Sequence, residues 1–238
     1  MFSIEQNGKR VWTPTRVVLH DKIIEELVVK ANPSKQPIAI FMGGGSASGK
    51  SRIRDEIVIP WYEESVVVID PDIIKDQLPE YAVYAIVDNL KAASLVHEES
   101  KDISIQIFNQ CLDKMYSFAY DTTMASPPEA FIDLITRCKD KGYRLIIVGV
   151  CTPIDVALKR ECKRFLKTDR KVDEGVLKYT HEHFPKTFFT LEPLFDEVII
   201  FDNSKEPLPV AERLGLGNEL EIHVDLLYTE FKKRGEAQ

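Results

Sequence analysis

Five short apolar runs punctuate the chain, at 37–42, 65–70, 116–121, 143–150 and 197–201. They are near-continuous in Val, Ile and Phe rather than alternating with polar residues, the pattern of strands covered on both faces in a parallel sheet. The stretches between them carry apolar residues at helical spacing: 49–58, 83–114 (long enough for two helices), 127–141, 153–167 and 172–191. Pro127 and Pro128 open the third of these and Gly142 follows it, the usual proline-in, glycine-out asymmetry. Pro185 predicts a break in the last. Ahead of the first run, 21–31 places Ile23, Ile24, Leu27 and Val28 on one side of a helix that Asn32-Pro33-Ser34 ends. Residues 1–17 read as a polar lead-in, and 220–234 as a closing helix. Strand–helix alternation of this kind predicts a doubly wound, mostly parallel five-stranded α/β sheet with helices on both faces. Right-handed crossovers collect the loops after the strands along one edge, where ligands bind. The expected organisation is a lead-in and helix packing on the core at 1–36, the core at 37–204, and an extension with a helix at 205–238.

Composition narrows the class. Among 238 residues, 44% are hydrophobic and 29% charged, the profile of a water-soluble globular chain. The net charge of −7 argues against a dedicated nucleic-acid binder. Cys111, Cys138, Cys151 and Cys162 form no C-x-x-C pair, so they read as reduced thiols rather than a zinc or redox motif. Met1 to Arg10 is polar, and no apolar stretch is long enough to span a membrane. A cytoplasmic protein is the expectation.

The chemistry enters at Gly44-Gly45-Ser46-Ala47-Ser48-Gly49-Lys50-Ser51, which satisfies G-x-x-x-x-G-K-[ST] between a predicted strand and a predicted helix. Glycines let the backbone turn its N–H groups onto phosphate oxygens. The following helix points its positive end at the same place. In such a P-loop, Lys50 neutralises the β- and γ-phosphates of ATP or GTP, and the Ser51 hydroxyl is placed for Mg²⁺. The α/β pattern is therefore that of a P-loop NTPase fold.

Acids follow two of the other strands. Asp70-Pro71-Asp72 ends the second; one of its carboxylates would orient an acceptor hydroxyl and take its proton, or both would cap the next helix. Asp121, followed by Thr122 and Thr123, ends the third; it would hold magnesium through water or bind a substrate hydroxyl, or cap the helix near Pro127. Residues 159–171 hold seven basic residues against two acidic ones, within a basic lid at 159–175. Its lysines read as a solvated face. Arg164 and Arg170 are the candidates for stabilising charge on the separating phosphates. His181 and His183 read as surface residues, since two positions apart they do not share a helical face. Asn203, after the last strand, reads as a turn residue rather than a contact to the nucleotide base.

Taken together, residues 44–51, Val-Ile-Asp-Pro-Asp at 68–72, Tyr-Asp-Thr-Thr at 120–123, Arg164 with Arg170, and Phe-Asp-Asn-Ser at 201–204 resemble the zeta toxin family of P-loop kinases. Members with known activity phosphorylate UDP-activated amino sugars, and several are toxins paired with an antitoxin. The resemblance implies Asp72 as the base, Lys50 as the phosphate lysine, and Arg164 and Arg170 as phosphate contacts. Asp121 stands where the toxins often carry Glu. Leu78-Pro79-Glu80-Tyr81 stands where they usually carry His-Pro, and Glu99 is the nearest counterpart of their substrate-side glutamate. The implied protein is an ATP- or GTP- and Mg²⁺-dependent kinase acting on a small-molecule acceptor, with an antitoxin-type partner as a further implication. Two other readings stay open: a nucleotide-gated binding module or slow NTPase working through a partner, and, less favoured by the charge, a nucleic-acid end kinase.

Overall fold

The computed structural model describes residues 2–6, 9–62, 65–87, 92, 94–168, 172–215 and 217–236. The chain opens with an antiparallel hairpin, β1 (Ser3–Gln6) and β2 (Lys9–Trp12), and a helix, α1 (Pro14–Val28). The segment read as a polar lead-in thus holds regular structure. Thr13 is extended and Pro14 occupies the first helical turn, where a missing N–H does no harm. The early part of α1 hid because its inward residues are Arg16 and His20, polar side chains that interrupt the apolar period yet are buried.

The five apolar runs form β3 (Ile38–Gly43), β4 (Val66–Ile69), β5 (Ser117–Asp121), β6 (Arg144–Cys151) and β7 (Glu197–Asp202). They lie parallel in the order β4-β5-β3-β6-β7. Beyond β7 the sheet continues with antiparallel β8 (Leu208–Arg213) and β9 (Glu221–Ile222), so it is seven-stranded and mixed, not five-stranded. A search for continuous apolar runs finds strands covered on both sides. Strand β8 is bordered outside only by the two-residue β9; it buries only Val210 and Ala211, and its Pro209 lies next to a register shift in the pairing with β7.

Helices cover both faces. Along β3, Ala39 and Phe41 join the larger core cluster, while Ile38, Ile40 and Met42 join the smaller one on the other face. The larger cluster takes residues from α1, α4 (Pro71–Asp76), α5 (Pro79–Val87), α6 (His97–Lys114), α7 (Glu129–Asp140) and α9 (Glu174–Leu191), and Phe231 of the closing helix α10 (Asp225–Glu236). Helix α8 (Ile154–Thr168) follows β6. Pro185 lies inside α9 without ending it. Among the described residues no helix is long and apolar enough to cross a membrane.

The helical segment after β3 has an unusual turn. It starts as α2 (Lys50–Ile53), widens into a π turn over Arg54–Val58, and ends as α3 (Ile59–Tyr62). Pro60 has no N–H for the ordinary i→i−4 ladder. Just before it, the Ile59 N–H reaches the Arg54 carbonyl, one residue further back than in an α-helix. Arg54 thus begins the π turn, and its side chain is buried beside the ends of β4 and β5.

Candidate active site

Residues 44–49 form the loop between β3 and α2, and its backbone has the required contortion. Ala47 takes φ 59° and Gly49 φ 89°, both left-handed. At Gly49 no side chain would fit, because a Cβ would overlap Asn203 Nδ2. Lys50 turns back over the loop, its Nζ donating to the carbonyls of Gly44 (2.9 Å) and Gly45 (3.3 Å). Ser51 follows, exposed, in the first turn of α2.

The outside of the loop is pinned by residues far away in sequence. Three donors converge on the Ser48 carbonyl: Asn203 Nδ2 (2.7 Å), Thr152 Oγ1 (3.0 Å) and Arg160 Nη1 (3.1 Å). Thr180 and His181 of α9 grip Ser46. His181 is buried, contrary to its reading as a surface residue. The spacing of Leu177, His181, Phe184, Phe188 and Leu191 is the inward stripe of α9, and it was the available signal. Burial, working against the hydrogen bond at Ser46, holds the His181 imidazole below the ordinary histidine range. Asn203 follows a strand end, as expected of a turn residue, but its side chain serves the loop.

The three strand-end carboxylates divide their tasks. Asp70 caps α4 (Pro71–Asp76), its Oδ1 accepting the Asp72 N–H at 2.9 Å. Its Oδ2 accepts from Arg54 Nη1 at 3.0 Å, and the same nitrogen donates to Asp121 Oδ2 at 2.6 Å. Asp121 therefore does not cap α7, whose N-cap is Pro128 with no side-chain hydrogen bond. Burial pushes the Asp121 carboxyl up to about 6, although Lys50 and Arg54 pull it down. Asp72, in the first turn of α4, keeps its side chain half exposed and reaches Lys75 Nζ at 3.1 Å.

Lys50, Asp70, Asp72 and Asp121 line one cavity of about 530 Å³, together with Thr122 and Thr123. Lys75, His97 and Lys101 line it too, as do Tyr120 and Phe131. His97 sits below the ordinary histidine range because of burial and then of Lys75. Thr122 Oγ1 accepts the Met124 N–H at 2.7 Å, so its hydroxyl still has a proton to donate. Glu99 does not line this cavity. It is buried against Arg16 and against His20 Nε2 (2.6 Å), while Arg16 also reaches Glu80 at 2.7 Å. Burial opposes its charge, but the hydrogen bonds from His20 and Arg16 outweigh that and hold Glu99 below the usual carboxylate range. The acceptor-side role read for Glu99 is therefore corrected to a brace between α6 and the N-terminal helix. Arg164 does not line the cavity either; it pairs with Glu161 on its own helix at 2.6 Å. Arg170 lies outside the described residues. Arg160, passed over in the sequence, is the lid arginine seen against the loop.

These residues fit a triphosphate with magnesium. The loop has glycine where a Cβ would not fit, a lysine folded over its mouth, and a buried Ser48 hydroxyl with no protein partner. Among the described residues no three His, Cys, Asp or Glu side chains converge on one point. Magnesium suits such a donor set, since it is commonly held by one or two protein oxygens plus substrate phosphates and water.

Strand order, cradle and strand-end acids define an α/β protein of the P-loop class. The profile described as "Zeta toxin" matches residues 24–208, and the chain belongs to that family. Toxin PezT of Streptococcus pneumoniae serotype 4 is 29% identical over 126 residues, 53% of this chain and 39% of that protein. A calmodulin calcium-dependent NAD kinase of Arabidopsis thaliana is 27% identical over 125 residues, 48% of this chain and 23% of that protein. The chain thus spans well under half the length of these curated relatives. A solved structure of the PezAT toxin–antitoxin system of Streptococcus pneumoniae superposes with a TM-score of 0.72 at 17% identity, covering 95% of this chain and 98% of that one, a likeness of fold.

Proposed function

We propose that this protein is a Mg²⁺-dependent kinase that moves the γ-phosphate of ATP or GTP onto a hydroxyl of a small phosphate-bearing metabolite. The observation that carries the reading is the shared cavity: Lys50 and Asp72 line it together, and Asp72 is the strand-end acid that Arg54 does not hold. A bound nucleotide with magnesium would supply the phosphoryl group and much of the charge neutralisation. Amides of the 44–51 loop not already spent on Thr180, Thr123 or Gly45, together with Lys50, bind and orient it. Ser51 is the hydroxyl for the metal, and Asp121, which lines the same cavity as Lys50, would serve it through water. Asp72 accepts the acceptor's proton, held in its rotamer by Lys75. Arg164 and Arg170 remain the candidates for the separating phosphates, with Thr122 for the acceptor.

The acceptor class follows from the rest of the cavity's lining. Lys75, His97 and Lys101 favour an anionic group, and Tyr120 and Phe131 offer flat apolar surface to a ring. A nucleotide-like metabolite with a diphosphate meets both demands. UDP-activated amino sugars and NAD, the latter named in the plant relative, are the first acceptors to test. An antitoxin-type protein partner is proposed on family membership.

The test is incubation of pure protein with Mg·[γ-³²P]ATP and, separately, UDP-N-acetylglucosamine, NAD⁺ or a metabolite extract. The expected result is label on an acceptor in at least one mixture. Label released only as inorganic phosphate would contradict transfer and favour the slow-NTPase reading.

A further inference from the structure

The rim of the cradle is held from outside by one turn of α9. Thr180 Oγ1 accepts the Ser46 N–H at 2.9 Å and donates its own proton to the Leu177 carbonyl at 2.8 Å, so its hydroxyl is locked in orientation. His181 Nε2 donates to the Ser46 carbonyl at 2.9 Å. A carbonyl only accepts, so the ring proton is on Nε2. Both side chains are buried. Both backbone groups of Ser46 are thereby committed to consecutive residues of α9. The His181 ring also covers Gly45 so closely that a methyl there would overlap it.

The position of this grip matters. Lys50 Nζ rests on the carbonyls of Gly44 and Gly45, the two residues before Ser46. In a P-loop that lysine serves the β- and γ-phosphates, so 44–46 is the rim nearest the transferred group. Arg160 of α8 also holds the loop, donating to the Ser48 carbonyl. A loop with several N–H dipoles aimed at one point is self-repelling without an anion. External hydrogen bonds that keep it in the binding shape lower the ordering cost of the ligand.

We infer that Thr180 and His181 are positioning residues that set the γ-phosphate end of the cradle by fixing both backbone groups of Ser46. None of this is written in the G-x-x-x-x-G-K-[ST] motif, and neither residue needs to touch the nucleotide. The inference rests on the proposed nucleotide site.

Thr180→Val removes the hydroxyl at nearly constant volume, and Thr180→Ser keeps it. Titrations of Mg·ATP and Mg·ADP, with melting curves as a check on folding, separate the roles. Thr180→Val is expected to weaken Mg·ATP by about tenfold while Mg·ADP stays within about twofold, the size of one lost hydrogen bond felt only at the γ end. Thr180→Ser should restore the wild-type ratio. His181→Leu, which loses the donor through a second site, should move the ATP/ADP ratio in the same direction if Thr180→Val fails to fold. An unchanged ATP/ADP ratio in the folded variants, or a Thr180→Ser protein as defective as Thr180→Val, would overturn the inference. If the wild-type protein binds neither nucleotide, the proposed function itself falls, a result readily told apart from a variant-only failure.

Discussion

Replacing Asp72 by asparagine is expected to leave Mg·ATP affinity within about twofold and to lower phosphoryl transfer by about a hundred- to ten-thousand-fold, the range of a lost general base. Asparagine preserves shape and an oxygen but does not take the acceptor's proton. The neighbouring carboxylates are poor substitutes, because Asp70 is spent on the α4 cap and on Arg54, and Asp121 on Arg54. Single-turnover transfer with a quenched time course measures the effect apart from nucleotide binding. Transfer at the wild-type rate by the Asp72→Asn protein would remove Asp72 from the mechanism. The contrasting variant, Asp70→Asn, should act mainly on stability.

The second large effect concerns Arg54. Arg54→Met leaves Asp70 and Asp121 buried without their shared cation, and a loss of about 3–5 kcal/mol in unfolding free energy is expected. The loss should depend on pH in a definite direction. Asp121 is already pushed up to about 6 by burial with Arg54 in place. A carboxyl whose folded pKa lies above its unfolded one favours the fold while protonated, and that contribution is lost as the pH rises through the folded value. Without Arg54 the shift grows. The deficit should therefore be greatest near about pH 8 and shrink toward about pH 5, where the buried Asp121 carboxyl takes a proton. Thermal melts across that interval measure it, and a deficit independent of pH would contradict the pairing.

The parallel core and the cradle were legible because each is a local signal. Buried parallel strands announce themselves as continuous Val, Ile and Phe, and the phosphate loop as glycines, a lysine and a serine at set spacing. What stayed hidden was decided by partners distant in sequence. Arg16 and His20 look like surface residues until Glu99, 83 and 79 positions away, buries with them. The same contacts took Glu99 out of the acceptor pocket. Arg54 sits four positions after the P-loop lysine, and the sequence offers no sign that it joins two strand ends; Pro60 is the only hint, through the π turn it accompanies. His181 was hidden by its neighbour His183, since an H-x-H pair reads as exposed unless the apolar stripe of the whole helix is laid out. Strands β8 and β9 escaped because this margin of the sheet buries few side chains, only Val210 and Ala211 of the two strands.

Phosphoryl transfer by this protein requires a triphosphate lying in the loop at 44–51, and calorimetric titration of the folded protein with Mg·ATP tests this most directly. A saturable heat with one nucleotide per chain, abolished in the Lys50→Ala protein while its melting curve is preserved, is the predicted result. Folded wild-type protein that gives no binding heat across conditions, or binding that Lys50→Ala leaves intact, would contradict it.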